Sequence, residues 1–194
     1  MYLPSYTVLM LIYGSKDLAA AFRTVRKNTV TIAEEIPEAK YDFRAAPDTR
    51  TVAQVLVHIA MVPSVQHQIH SERRTTLVGF DFPGFFQRML AEEQKQHSKS
   101  EIVDLLRTGG ESFGAWLEAF PDDVLGQTVA MPPGMTPASK TRFEMLMGVK
   151  EHEMHHRAQL MLIERMIGIV PHLTREMQAR FASMQSAAQS QAKA

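Results

Sequence analysis

Two histidines in the C-terminal half of the chain have the spacing of metal ligands on a helix. His152 and His156 lie four residues apart within an apolar stripe, and residues at positions i and i+4 share one face of an α-helix. His58 lies far upstream on a second apolar helical stripe. Three neutral imidazoles that converge inside a helical bundle would form a metal site with open coordination positions. The pattern therefore predicts that His58, His152 and His156 bind one cation.

Neighbouring side chains on the same helix are candidates for catalytic or supporting roles. His155 lies about 100° around the helix from His156, and Gln159 follows one turn later. Glu153 points away from the apolar stripe, so we expect a solvated carboxylate with Arg157 as its i+4 partner. His155 and Glu153 are the candidate catalytic residues, and both could instead support the ligands, as could Gln159. We expect the remaining histidines at the surface: His67, His70, His97 and His172.

A zinc peptidase is one alternative interpretation of the same segment. His152 to His156 matches the H-E-x-x-H signature, in which Glu153 would be the general base. Glu176 follows twenty residues after His156, near the position of a third ligand in one class of these enzymes. The metzincin extension is absent, however, and no sheet edge is predicted that could hold an extended peptide. Pro171 would also break the chain before Glu176, so the peptidase interpretation is the weaker one.

A carboxylate-bridged di-iron centre is a further alternative. Such bundles use repeated Glu-x-x-His motifs that project from several helices. Glu153 and His156 fit one motif, and Glu151 lies nearby, but no other histidine has a glutamate three residues before it. Because one motif supplies too few ligands for two metal ions, a dinuclear site is disfavoured.

The composition excludes several classes of protein. Lys+Arg and Asp+Glu both number 21, and the longest basic run is Arg73-Arg74, which argues against nucleic-acid binding. The 194 residues contain no cysteine, so any thiol chemistry needs a thiol from a substrate. The apolar run Val8–Tyr13 is too short to span a bilayer, which takes about 20 residues, and lacks the features of a signal peptide. We predict a cytoplasmic protein without a membrane partner, in which this run packs on the core or on a partner subunit.

The apolar spacing is mostly helical and predicts an all-α fold. Four long helices are expected, at Ser15–Ile36, at Thr51 to about His70, from Ser98 to Pro121, and at Ser139–Ile167. A Thr51–Gln54 capping box opens the second helix, which Pro63 should kink or split. Gly109-Gly110 should weaken the third. Together they predict a four-helix bundle with a long crossover connection.

The segments between and after these helices are less regular. Residues 71–98 form a predicted insertion with an aromatic loop at Phe80–Phe86 and a short helix at Gln87–Gln96. Val124–Met131 resembles a lone short strand without a partner. Thr174–Met184 predicts a last short helix, and Gln185–Ala194 a frayed tail. The chain thus divides into one domain, residues 1–173, and a C-terminal extension, residues 174–194.

Three segments of the chain resemble the DinB/YfiT-like metalloproteins. They run from Phe43 to Ala60, from His152 to Leu160 and from Arg165 to Pro171, with matching order and spacing over most of residues 5–172. In that family a histidine of the second helix and an H-x-x-x-H pair of the last bundle helix hold one divalent ion. The resemblance places these ligands at the three histidines selected above. Ala158 is a mild departure, because the family often has glycine there.

The resemblance also implies an activity and an assembly. Family members with known reactions are thiol-dependent transferases or isomerases that use bacillithiol, mycothiol or glutathione, and the metal activates the thiol. Many members have no assigned reaction, and members often form homodimers. The family name refers to damage-inducible expression and does not imply DNA binding.

We therefore expect a metalloprotein with one divalent ion. All-imidazole ligation suits Zn, Ni, Cu or Fe. The ion would act on a small-molecule substrate by activating a low-molecular-weight thiol against an electrophile. The alternative is a non-catalytic metal-binding or interaction protein on the same fold. An enzyme would have a cleft with polar walls that leads to an open coordination position, whereas a structural ion would be enclosed by a fourth protein ligand.

Overall fold

The computed structural model describes residues 13–191, so all of the apolar run Val8–Tyr13 except Tyr13 lies outside the described residues. The elements, in chain order, are α1 (Ser15–Glu35), α2 (Val52–Met61), α3 (Pro63–Ser71), α4 (Phe82–Glu93), α5 (Lys99–Glu118), β1 (Thr128–Ala130), β2 (Ser139–Thr141), α6 (Arg142–Met166) and α7 (His172–Gln191). None of the described helices combines the length and apolar character that a membrane crossing requires.

Four of the helices form the predicted bundle. Helices α1 and α2 each pack against α5 and α6. The core between them consists of apolar side chains with almost no solvent exposure, among them Ile32, Leu56, Ile102, Leu106 and Leu160. The long connection from α3 to α5 carries α4, which packs on α2. The prediction of an all-α bundle with a long crossover is confirmed.

Capping residues define where the bundle helices begin. The Thr51 hydroxyl accepts a hydrogen bond from the Gln54 backbone N–H (3.1 Å), and the Thr51 backbone N–H donates to the Gln54 side chain (3.0 Å). Ser98 with Glu101 and Thr141 with Glu144 form the same reciprocal box. Such boxes satisfy helix N–H groups that have no partner within the helix.

The expected aromatic loop at Phe80–Phe86 is wrong, because most of it forms the first turn of α4. The Asp81 carboxylate accepts a hydrogen bond from the Gly84 N–H (2.9 Å) and caps this helix. Pro83 fits there, since the first turn of a helix tolerates proline. The short helix expected at Gln87–Gln96 is therefore longer and begins earlier.

Other expectations also need revision. Pro63 splits the second predicted helix into α2 and α3, as expected. The strand-like run has a partner after all, because β1 pairs antiparallel with β2, with Val129 opposite Lys140. Helix α7 continues to Gln191, so the tail is helical up to that residue rather than frayed from residue 185.

Candidate metal centre

Two bundle helices bring three imidazoles together. His58 lies on α2, and His152 and His156 lie one turn apart on α6. The His152 Nε2 atom lies 3.2 Å from Nε2 of His58 and 3.2 Å from Nε2 of His156. His58 and His156 are buried, whereas His152 is half-buried. Among the described residues, this is the group of ligand-type side chains whose donor atoms all lie within 4.8 Å of one another.

The outer nitrogens of two rings are held by oxygen acceptors. His58 Nδ1 donates to Oε1 of Glu93 at 2.8 Å, and His156 Nδ1 donates to Oε1 of Gln159 at 2.9 Å. A hydrogen on Nδ1 leaves Nε2 of a neutral ring as a lone pair. Both Nε2 lone pairs consequently face the Nε2 atom of His152.

This donor set fits a cation better than it fits hydrogen bonding. A neutral His152 carries at most one hydrogen on Nε2, which cannot fully satisfy both neighbouring lone pairs. Burial lowers the pKa of His58 and His156, and burial together with the neighbouring imidazoles lowers the pKa of His152 to about 4. Nitrogen ligands about 2.0–2.1 Å from a tetrahedral ion lie about 3.3 Å apart. The observed separations therefore suit imidazole ligation of one divalent ion.

Glu93 is a functional candidate that the sequence analysis missed. Its side chain is 2% exposed and also accepts a hydrogen bond from Nε of Arg50 at 2.7 Å. It lies 35 residues from His58, within the short helix expected at Gln87–Gln96, which the sequence did not connect to the histidines. The sequence spacing could have indicated that Glu93 is buried, because Phe85, Met89 and Glu93 recur every fourth residue on the buried face of α4. A carboxylate on such an apolar stripe indicates a buried partner.

The solvated position expected for Glu153 is wrong. Its carboxylate is 2% exposed and lies against Arg26 of α1, with Nε–Oε1 and Nη2–Oε2 distances of 2.9 Å. Arg26 also donates to the backbone carbonyls of Leu106 and Ile59. Glu153 thus pairs across the bundle rather than with Arg157. Because both of its oxygens are engaged away from the histidines, the peptidase interpretation lacks its general base.

The remaining histidines occupy varied environments. His155 is exposed, and its Nε2 lies 3.2 Å from Nε2 of Gln159, which links it to His156. His67 is exposed, as expected, and His97 is partly exposed. The surface positions expected for His70 and His172 are wrong, since they are 3% and 6% exposed. His70 Nδ1 accepts a hydrogen bond from Arg142, and burial lowers its pKa to about 4.

Two clefts reach the three histidines from different sides. The arginine cleft, about 560 Å³, has His156, Gln159 and Glu93 in its wall together with Arg44, Asp48, Thr49, Arg50, Gln54 and several apolar side chains. The apolar cleft, about 290 Å³, has His152 in its wall together with Val62, Val65, Gln66, Ile69, Leu77, Phe82, Met131, Lys140, Glu144, Met145, Gly148 and Val149. Both clefts open to solvent, so small molecules can approach the group from either side.

The fold and this site together define a helical bundle with a three-histidine group suited to one metal ion. A sequence model of the DinB superfamily matches residues 21–160. Because the match covers well over half of the chain, the chain belongs to the DinB superfamily, and the family resemblance is confirmed. A comparison with curated protein sequences finds no match.

Solved structures of the same fold are similar to this chain. YfiT from Bacillus subtilis, described as "a probable metal-dependent hydrolase with an unusual four-helix bundle topology", is 17% identical with a TM-score of 0.63, covering 87% of this chain and 94% of YfiT. The DinB-like protein YjoA from Bacillus subtilis is 20% identical with a TM-score of 0.57, covering 78% and 92%. DfsB, described as a sibling lethal factor precursor, is 12% identical with a TM-score of 0.60, covering 81% and 98%. At these identities the likeness concerns the fold.

Proposed function

We propose that the chain is a metalloprotein in which His58, His152 and His156 bind one divalent ion through their Nε2 atoms. The observation that supports this most directly is the pair of 3.2 Å separations between these atoms, with two outer nitrogens held by Glu93 and Gln159. All-imidazole ligation suits Zn, Ni, Cu or Fe. When bound, such an ion supplies a Lewis acid that lowers the pKa of a coordinated water or thiol.

Accessible clefts on both sides of the histidines favour an enzyme over a structural metal protein. A structural site is normally completed by a fourth protein ligand, whereas among residues 13–191 the close group has three members. The arginine cleft and the apolar cleft leave room for a substrate beside the ion. His155, connected to His156 through Gln159, is the candidate catalytic residue.

The proposed reaction is attack of a low-molecular-weight thiol on a small electrophile. The chain has no cysteine, so the sulfur comes from a bound small molecule. The thiol loses its proton, the sulfur forms a bond to the electrophilic carbon, and the leaving group departs with a proton. The arginine cleft supports this choice, because Arg44 and Arg50 can bind the carboxylate of a charged thiol cosubstrate.

Hydrolysis is the second candidate, favoured by the description of YfiT as a metal-dependent hydrolase. In that reaction a coordinated water would take the place of the thiol. A non-catalytic metal-binding protein is the remaining alternative. A transferase needs both the metal and a thiol for turnover, a hydrolase needs the metal alone, and a binding protein shows no turnover.

Metal content tests the ligand assignment. Protein without a polyhistidine tag, purified without a nickel column, is expected to contain about one equivalent of a first-row divalent metal after reconstitution. His58→Ala, His152→Ala and His156→Ala should each lose most of it. The control is His67→Ala, which removes an exposed imidazole that packs on Trp116. Unchanged metal content in His58→Ala and His152→Ala would refute the assignment.

Activity assays then separate the candidate reactions. The reconstituted protein is incubated with bacillithiol, mycothiol or glutathione and a chromogenic electrophile, and in parallel with chromogenic esters and amides without thiol. Thiol-dependent turnover that a chelator abolishes would support the transferase. Metal-dependent turnover of esters or amides alone would favour the hydrolase. No metal-dependent turnover in either series would leave the binding protein.

We further propose that the protein forms a homodimer through α7. Helix α7 exposes Met177, Phe181 and Met184 at successive steps of four and three, with exposures of 54%, 57% and 66%. An apolar stripe of this kind on an exposed helix favours association. Size exclusion with light scattering should give twice the chain mass, and Phe181→Glu should give the monomer. Gln178→Glu adds the same charge on the same helix and should leave the dimer intact; a monomeric wild type would contradict the proposal.

A further inference from the structure

Gly148 occupies a position in α6 where a side chain would meet nothing. It lies one turn before His152, on the same face of the helix, and a Cβ atom built there has no neighbouring atom within 4 Å. Glycine has a lower helix propensity than any residue except proline, so its presence inside a helix needs a reason. Gly110 of α5 contrasts with it, because a Cβ there would lie 2.6 Å from Cγ of Arg26. Close packing therefore accounts for Gly110 but not for Gly148.

The space beside Gly148 is the apolar cleft. Its wall includes Val65, Ile69, Phe82 and Met145, with His152 alongside them. A volume of about 290 Å³ lies just below the usual range for drug-sized ligands, so it suits one ring or a short branched chain. A larger residue at position 148 would occupy this volume directly beside the histidines.

We propose that the apolar cleft binds the apolar group of the substrate, and that Gly148 determines how large this group can be. The group is a single ring or a short branched chain, and it lies next to the ion-binding nitrogens. This inference rests on the proposed metal centre. It assigns the apolar electrophile to the side of His152 and leaves the arginine cleft, on the side of His156, for the charged cosubstrate.

A pair of metal-binding probes tests the inference without any assay of turnover. Acetohydroxamic acid and benzohydroxamic acid have the same metal-chelating group, but only the second carries a phenyl ring. Isothermal titration of the zinc-loaded wild type should show benzohydroxamic acid binding about tenfold more tightly or better. Gly148→Leu should abolish this preference while it retains zinc and binds acetohydroxamic acid within about twofold of the wild type.

Two further variants keep the result interpretable. Gly148→Ala adds a single methyl group and should reduce the preference for benzohydroxamic acid. This variant replaces Gly148→Leu as the test if the leucine variant does not fold. Gly109→Leu is the matched control, since Gly109 also lies inside a helix, and a Cβ atom built there would have the Ala60 carbonyl oxygen as its nearest neighbour, at 3.9 Å. It should leave the preference unchanged.

The outcomes distinguish failure of the inference from failure of the metal centre. If zinc does not bind the wild type, the proposed metal centre fails. If zinc binds but neither probe does, the apolar cleft does not lead to the ion and the inference is overturned. If both probes bind the wild type equally, or if the preference survives in both Gly148 variants, the phenyl group lies elsewhere. The inference is then overturned while the metal centre remains.

Discussion

At the scale of single residues, Glu93 connects the candidate ligands to the arginine cleft. One oxygen accepts a hydrogen bond from Nδ1 of His58, and the other accepts one from Nε of Arg50. Carboxylates that hold a ligand imidazole fix its tautomer and increase its basicity. The buried negative charge of Glu93 is in turn stabilised by Arg50. Metal affinity should therefore depend on a residue that does not itself coordinate.

We predict that Glu93→Gln lowers zinc affinity by about 10–100-fold. The amide keeps the size of the side chain but removes the charge that supports the imidazole and pairs with Arg50. Competition with a chromophoric chelator measures the affinity. Glu92→Gln is the matched control, because the neighbouring Glu92 pairs with Lys95 and His97 rather than with a ligand. Equal affinities in the two variants would show that Glu93 does not support the site.

At the scale of secondary-structure elements, a buried ion pair fixes α6 against α1. Arg26 and Glu153 are 4% and 2% exposed, and the guanidinium also bonds to backbone carbonyls at Leu106 and Ile59. A buried charge requires such compensation. Glu153 is adjacent to His152 in sequence, so this pair also sets how α6 presents its histidines. Helix α5 leaves room for the arginine through Gly110.

The adjacent glycines of α5 should respond oppositely to alanine. Gly109→Ala is expected to raise the free energy of unfolding by about 0.5–1 kcal/mol, because alanine favours helix and the added Cβ has space. Gly110→Ala should lower it by about 1–3 kcal/mol, because the Cβ collides with the Arg26 side chain. Urea denaturation measures both changes. Stabilisation in both variants would mean that Arg26 can move away without loss, contrary to its buried pairing.

At the scale of the whole molecule, the stability of the fold should depend on pH through Glu164. This α6 residue is fully buried, and neither carboxylate oxygen has a hydrogen-bond partner among the described residues. Burial, together with the negative charge of Glu35, raises its pKa to about 7, although Arg175 and Arg165 oppose the shift. The unfolded chain ionises this group near its ordinary value of 4.5. The folded protein therefore binds the extra proton between these two values.

Because the folded state binds more protons in that interval, its stability falls as pH rises through it. Below the unfolded pKa both states are protonated and no stability is lost. We expect the free energy of unfolding of the metal-free wild type to decrease by about 2.5 kcal/mol from pH 5 to pH 8, relative to Glu164→Gln. Urea denaturation at several pH values measures this difference. The exposed Glu151→Gln serves as the control, and parallel curves for wild type and Glu164→Gln would contradict the prediction.

The sequence by itself determined the features that depend on local geometry. Helical periodicity placed His152 and His156 on one face of α6, and capping residues located the starts of α2 and α5. Proline geometry predicted the break at Pro63. These features follow from interactions within about one helical turn, which fix backbone conformation without reference to the rest of the chain.

The convergence of His58 with His152 and His156 was predicted from the sequence, but only the tertiary structure decided which other distant side chains meet. The sequence favoured Arg157 as the partner of Glu153, but the bundle supplies Arg26, 127 residues away. It likewise brings Glu93 to His58 and places Gly148 beside an open apolar cleft. Packing of α1, α4 and α6 determines these contacts, because removing apolar surface from water fixes how helices associate. Local sequence spacing does not determine how the helices pack against each other, so these contacts could be identified only from the tertiary structure.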